Sequence, residues 1–181
     1  MGPFRGAEDR QSLRLSFRLP SPRLNWKENK GMRPDLLREL PYKKPWIFVD
    51  RIISCIPSQQ ISTLKNITSS DFFLRGHFPS YSVFPGMLLL EGIKQSCELL
   101  VKLSGYEPEP EFLQAAQLQI RLLKPSLPGD TVVYSVKWTA EEDGRMLFSA
   151  EGKIEGVPSV RCTFRLAADA VRHSGRKEGT R

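Results

Sequence analysis

Between Met87 and Leu103 the chain reads MLLLEGIKQSCELLVKL, a stretch of helical length whose apolar residues leave very little polar face in its first half. Such a helix has to be enclosed. The material around it is strand-like: Ile47–Ile53 and Ile61–Thr68 are rich in branched residues and flank the turn Pro57-Ser58-Gln59-Gln60, which gives a hairpin. Three or four further strand-like segments follow the helix, at 113–123, 131–140, 145–154 and 160–166. They are divided by turn signals at Pro125–Asp130, Glu141–Gly144 and Gly156-Val157-Pro158, so neighbouring strands are expected to run antiparallel. One buried helix and a meandering sheet imply an α+β domain with the sheet curved around the helix.

With 181 residues, 40% of them hydrophobic and 26% charged, the chain holds one domain with a substantial core. Residues 1–31 mix Arg, Ser, Pro and Gly without a period and read as a disordered or non-native extension. On the second alternative, in a bacterial source, Lys27-Glu28 reflects a purine-rich ribosome-binding sequence and Met32 is the start. Patterning begins at Met32, with a short helix over Arg33–Leu40, and the domain is expected over 32–168. The tail 169–181 is expected to be flexible, with His173 solvated and idle.

No apolar stretch approaches the roughly 20 residues of a membrane span, so a soluble cytoplasmic protein with no membrane partner is expected. Cys55, Cys97 and Cys162 lack the paired spacing of a zinc site or disulfide framework and read as core thiols, with no metal. Asn66-Ile67-Thr68 matches a glycosylation pattern, read here as chance. The net charge of +7 weakens as evidence for nucleic acid once it is divided, because residues 1–31 hold seven basic residues against three acidic ones.

Within the long helix Glu91 stands out. An isolated buried carboxylate costs several kcal/mol, so it either finds partners or keeps its proton, and in the second case it can act as a general acid. His77, in Gly76-His77-Phe78-Pro79, can stay neutral near working pH and accept a proton. Pro85-Gly86 precedes Met87 at the helix start, where the first amides lack internal partners and could polarise a carbonyl; Gly86 permits close approach of a substrate. Gln95, four residues past Glu91, lies on the same face and can orient its carboxyl. A base, an acid and a carbonyl-polarising helix end suit β-elimination of water from a 3-hydroxyacyl thioester. Taken singly, a histidine in such a turn is more often a satisfied loop residue, and an acid in an apolar helix is more often paired.

Taken together, Leu40–Ile52, Phe72–Pro79, Val83–Leu88 and Glu91–Gln95 closely resemble the bacterial (3R)-hydroxyacyl-acyl carrier protein dehydratases of FabZ type, which have the hot-dog fold; Pro128-Gly129-Asp130 fits that family's later turn. The resemblance covers residues 33 to 168. It implies His77 and Glu91 as the catalytic pair, Gly86 as the amide that binds the thioester carbonyl and Gln95 as support. It further implies a homodimer in which His77 of one subunit works with Glu91 of the other, with further assembly of dimers left open. No cofactor is implied beyond the phosphopantetheine arm of the carrier protein that delivers the substrate.

The chain departs from the family at Ser82, where proline is usual, at Phe84, where methionine is usual, and at Lys94, where a small residue is usual. Phe78, Tyr81 and Phe84 are expected beside the acyl chain, and the bulk of Tyr81 and Phe84 points to a specialised paralogue in polyketide, polyene or other secondary lipid assembly. Lys94 either pairs with Glu91 or carries its ammonium to solvent, and the second is preferred. Lys43, Lys44 and Arg75 are candidates for a basic rim facing an acidic carrier protein. A hot-dog thioesterase and a non-catalytic acyl-thioester-binding or partner subunit are the alternatives.

Overall fold

The computed structural model describes residues 34–78, 80–108, 117–142, 145–167 and 171–173. One long helix, α1 (Gly86–Leu103), lies against a sheet built from β1 (Arg51–Ile56), β2 (Gln60–Asn66), β4 (Gln117–Leu122), β5 (Thr131–Glu142), β6 (Arg145–Ile154) and β7 (Val157–Ala167). The strand order is β1-β2-β5-β6-β7-β4, with every neighbouring pair antiparallel. A separate ribbon pairs β3 (Tyr106–Pro108) with β8 (Val171–His173).

The helix is enclosed as its sequence requires. Leu89, Leu90, Ile93, Leu99, Leu100 and Val101 are all buried, and each contributes about 1.5–3 kcal/mol through removal from water. Between Gln95 and Val101 every residue is buried, polar ones included. The sheet supplies the other half of the core through alternation. On β6, Met146, Phe148, Ala150, Gly152 and Ile154 are buried while the residues that alternate with them are more exposed. Cys55, Cys97 and Cys162 are buried, and burial pushes the Cys55 and Cys162 thiols up to about 12, so they behave as core groups. No helix among the described residues is long and apolar enough to cross a membrane.

Several boundaries differ from the expected ones. The first strand begins at Arg51 rather than Ile47, because the Trp46 carbonyl and the Phe48 amide bond to Gln95 on α1 instead of to a neighbouring strand. The helix expected over Arg33–Leu40 is a 3-10 turn, Pro34–Glu39. The turn before β7 is Glu155-Gly156, both at positive φ (51° and 80°), which places Val157 opposite Ile154 and draws Val157 and Pro158 into the strand. The tail is not wholly loose: Val171–His173 pairs with Tyr106–Pro108. Residues 1–31 and 174–181 lie outside the described residues.

Candidate active site

Gln95 organises the site. It is fully buried, and its carboxamide uses every hydrogen bond available to the NH₂ group: Nε2 donates to the Trp46 carbonyl at 2.8 Å and to Glu91 Oε1 at 3.0 Å, while Oε1 accepts from the Phe48 amide at 2.8 Å. These contacts fix which end of the amide is which. They also tie the strap Trp46–Phe48 across α1, with Phe48 anchored in the core beside Phe73 and Phe84 at centroid distances of 5.3 and 6.4 Å.

Glu91 therefore finds partners. Its side chain is 27% exposed, and its second oxygen lies 3.7 Å from the Lys94 ammonium. This corrects the expectation that Lys94 reaches into solvent. The ammonium is also 3.8 Å from Glu98 Oε1 and 5.2 Å from the centre of the Tyr42 ring, and two carboxylates and an aromatic face hold it against the helix. Tyr42 donates its hydroxyl to Glu98 Oε1 at 2.7 Å. Burial pushes the Glu98 carboxyl above its ordinary range, opposed by the Tyr42 hydrogen bond and the Lys94 charge. Burial and the Glu98 hydrogen bond likewise raise the Tyr42 hydroxyl.

Sequence reasoning missed Tyr42 and Glu98. The Lys94–Glu98 pairing was readable as an i,i+4 relation on one helix, but Tyr42 lies 56 residues from Glu98 and carries no local signal.

His77 follows the 3-10 turn Phe72–Leu74 and is half-buried. Its Nδ1 lies 2.6 Å from the Val83 carbonyl. A carbonyl only accepts, so Nδ1 carries a proton, and of the two neutral tautomers the contact selects the one that presents Nε2 as a lone-pair acceptor. The next residue, Phe78, takes positive φ (58°), a conformation that side chains other than glycine's rarely adopt, and its ring lies 4.4 Å from the imidazole.

Gly86 opens α1 after Pro85, so its amide belongs to the first turn, where the helix offers no partner. A methyl group at this position would come within 2.4 Å of Leu122 Cδ1 on β4. Exposed apolar side chains surround this end of the fold: Phe78, Tyr81, Met87, Leu122 and Leu123. Phe84 does not belong with them. It is fully buried and its amide donates to the Ser126 carbonyl at 2.8 Å, so its bulk fills core rather than lining an open surface. Lys43, Lys44 and Arg75 are exposed, with the Arg75 guanidinium 5.8 Å over the Phe72 ring.

A profile of the FabA-like domain matches residues 40–158. The chain belongs to the FabA-like family. Within it, the chain is 37% identical over 124 residues to a 3-hydroxyacyl-[acyl-carrier-protein] dehydratase FabZ of Pseudoalteromonas translucida, covering 67% of this chain and 83% of the relative. It is 30% identical over 140 residues to the FabZ dehydratase of Teredinibacter turnerae, covering 76% and 95%. A solved structure of a hypothetical thioesterase with coenzyme A from Streptococcus pneumoniae superposes with a TM-score of 0.52 over 64% of this chain and 82% of that one; at 16% identity it shows the shared hot-dog fold alone. The FabA-like match contains His77, Gly86, Glu91 and Gln95, and Tyr42, Lys94 and Glu98 as well.

Proposed function

We propose that this FabA-like enzyme removes water from (3R)-hydroxyacyl thioesters carried on an acyl carrier protein, giving trans-2-enoyl thioesters during fatty-acid chain elongation. The observation that carries this reading is the tautomer of His77. With Nδ1 committed to Val83, Nε2 is the one ring atom free to take a proton, in a chain whose relatives are named as dehydratases of this class.

The thioester carbonyl accepts from the Gly86 amide, which acidifies C2. His77 Nε2 removes the C2 proton, the electron pair forms the C2–C3 double bond, and the C3–O bond breaks as Glu91 gives its proton to the departing hydroxyl. Gln95 holds Glu91 in place. The substrate arrives on a phosphopantetheine arm, and the cationic rim Lys43, Lys44 and Arg75 suits an acidic carrier. His77 of one subunit works with Glu91 of a second in a homodimer. The exposed apolar residues near the start of α1 support such a cover, since an apolar patch rimmed by charge marks an association surface. Three buried, unpaired cysteines agree with a reducing cytoplasm.

Incubation with a 3-hydroxyacyl-loaded carrier protein, read by mass spectrometry, tests this reading. Enoyl product is expected; free thiol with carboxylic acid, or binding without turnover, overturns it. His77→Ala and Glu91→Gln are each expected to lower kcat by about 10²- to 10⁴-fold. Full activity of either variant in a folded protein overturns the assignment of roles.

A further inference from the structure

Glu91, Lys94, Glu98 and Tyr42 form one connected set. A single ammonium lies between two carboxylates, 3.7 Å from Glu91 and 3.8 Å from Glu98, with side-chain exposures of 19%, 27% and 5% for Lys94, Glu91 and Glu98. Tyr42, from the segment that leads into the strap, donates to the same Glu98 oxygen that faces Lys94 and covers the ammonium with its ring. With both carboxylates and the lysine ionised and the Tyr42 hydroxyl neutral, the set carries one negative charge more than positive, so it is disposed to hold one extra proton. The position of Lys94 decides where that proton resides.

We propose that Lys94, held by Glu98 and Tyr42, is the positioning residue that sets how far Glu91 is available as proton donor. A lysine bound to Glu91 alone keeps that carboxylate ionised and empties it of the proton that dehydration needs. Glu98 divides the charge. Once ionised, above the raised range that burial gives it, Glu98 draws the ammonium's field away from Glu91 and restores its capacity to hold a proton, while Tyr42 keeps Glu98 facing the lysine. The other groups that face this set are Gln95 on Glu91, and Lys102 and Cys97 beside Glu98. The inference rests on Glu91 being the acid of a dehydratase.

The test is the pH dependence of kcat for dehydration of a 3-hydroxyacyl pantetheine thioester, with circular dichroism confirming folding of each variant. Lys94→Met removes a positive charge, so the alkaline limb is expected to move up by about half a pH unit or more. Glu98→Gln leaves the lysine undivided, and the limb is expected to move down. Lys94→Arg keeps the wild-type limb, and the Lys94→Met/Glu98→Gln double variant returns towards it. Lower kcat at every pH with an unmoved limb in both single variants overturns the proposal.

Carbon-13 NMR titration of the Glu91 carboxyl, without substrate, gives the same answer independently of turnover. Its midpoint is expected to rise in Lys94→Met and fall in Glu98→Gln, and a midpoint unchanged in both overturns the proposal. Absence of dehydration in the wild type with shifted midpoints overturns instead the dehydratase reading on which the role in catalysis depends.

Discussion

Gln95 reaches Glu91 and Phe48 at once: its Nε2 donates to the Glu91 carboxylate at 3.0 Å while its Oε1 accepts from the Phe48 amide at 2.8 Å. The side chain that orients the acid is therefore also the one that binds the strap to the helix, and structure and chemistry at this point are coupled.

Gln95→Ala is expected to lose both. It leaves the buried Phe48 amide without its acceptor and the Trp46 carbonyl without its donor, a destabilisation of about 2–4 kcal/mol readable by urea denaturation. In the fraction that remains folded, kcat is expected to fall more than KM rises, because Glu91 has lost its orienting partner. A variant as stable as the wild type contradicts the bonding described here.

Mixing two inactive variants tests whether the site is shared. In a dimer of His77→Ala with Glu91→Gln, a site built across the interface leaves one site with both groups intact, so random mixing is expected to restore about a quarter of wild-type activity. Sites contained within single subunits restore none.

Gly92 and Tyr134 test the packing under the helix. A methyl group on Gly92 would lie 2.5 Å from the Tyr134 hydroxyl, and Tyr134 is fully buried, so Gly92→Ala is expected to destabilise by about 1–3 kcal/mol. That hydroxyl finds no hydrogen-bond partner among the described residues. Tyr134→Phe is accordingly expected to be neutral or stabilising by up to about 1 kcal/mol, and to reduce the penalty of Gly92→Ala in the double variant. Gly76→Ala, with nothing within 4 Å, provides the control in thermal melts.

Glu98 should make stability depend on pH with an unusual sign. Its carboxyl is raised in the folded state, so between the ordinary value and the raised one the folded chain holds a proton that the unfolded chain has released. Stability from this group is present below that window and declines as pH rises through it. Glu98→Gln is expected to remove this decline, becoming more stable relative to wild type with rising pH in chemical denaturation. A constant difference between the two across that range contradicts the burial assigned to Glu98.

Much of the fold was readable from the chain. The apolar density of Met87–Leu103 demanded enclosure, and the turn signals between the later segments pointed to the antiparallel neighbours that β5, β6 and β7 form. Boundaries were less readable where tertiary contacts outweighed local preference. Ile47-Phe48-Val49 has strand composition, but the Phe48 amide donates to Gln95 rather than to a strand, and Val157-Pro158 looks like a turn until two positive-φ residues complete the turn before it. Phe84 illustrates the same limit within the site, since its position before Pro85 suggested the mouth of a channel while the core took its ring.

The sequence alone determined the order and spacing of His77, Gly86, Glu91 and Gln95, and it placed Glu91, Lys94, Gln95 and Glu98 within one turn or two of each other, because helical periodicity depends only on local separation. Tertiary structure decided what each of them faces. The Val83 carbonyl selects the His77 tautomer, the strap satisfies Gln95, and Tyr42 turns Lys94 away from solvent towards two carboxylates. A buried polar group must find a partner, and only packing determines which distant segment supplies it.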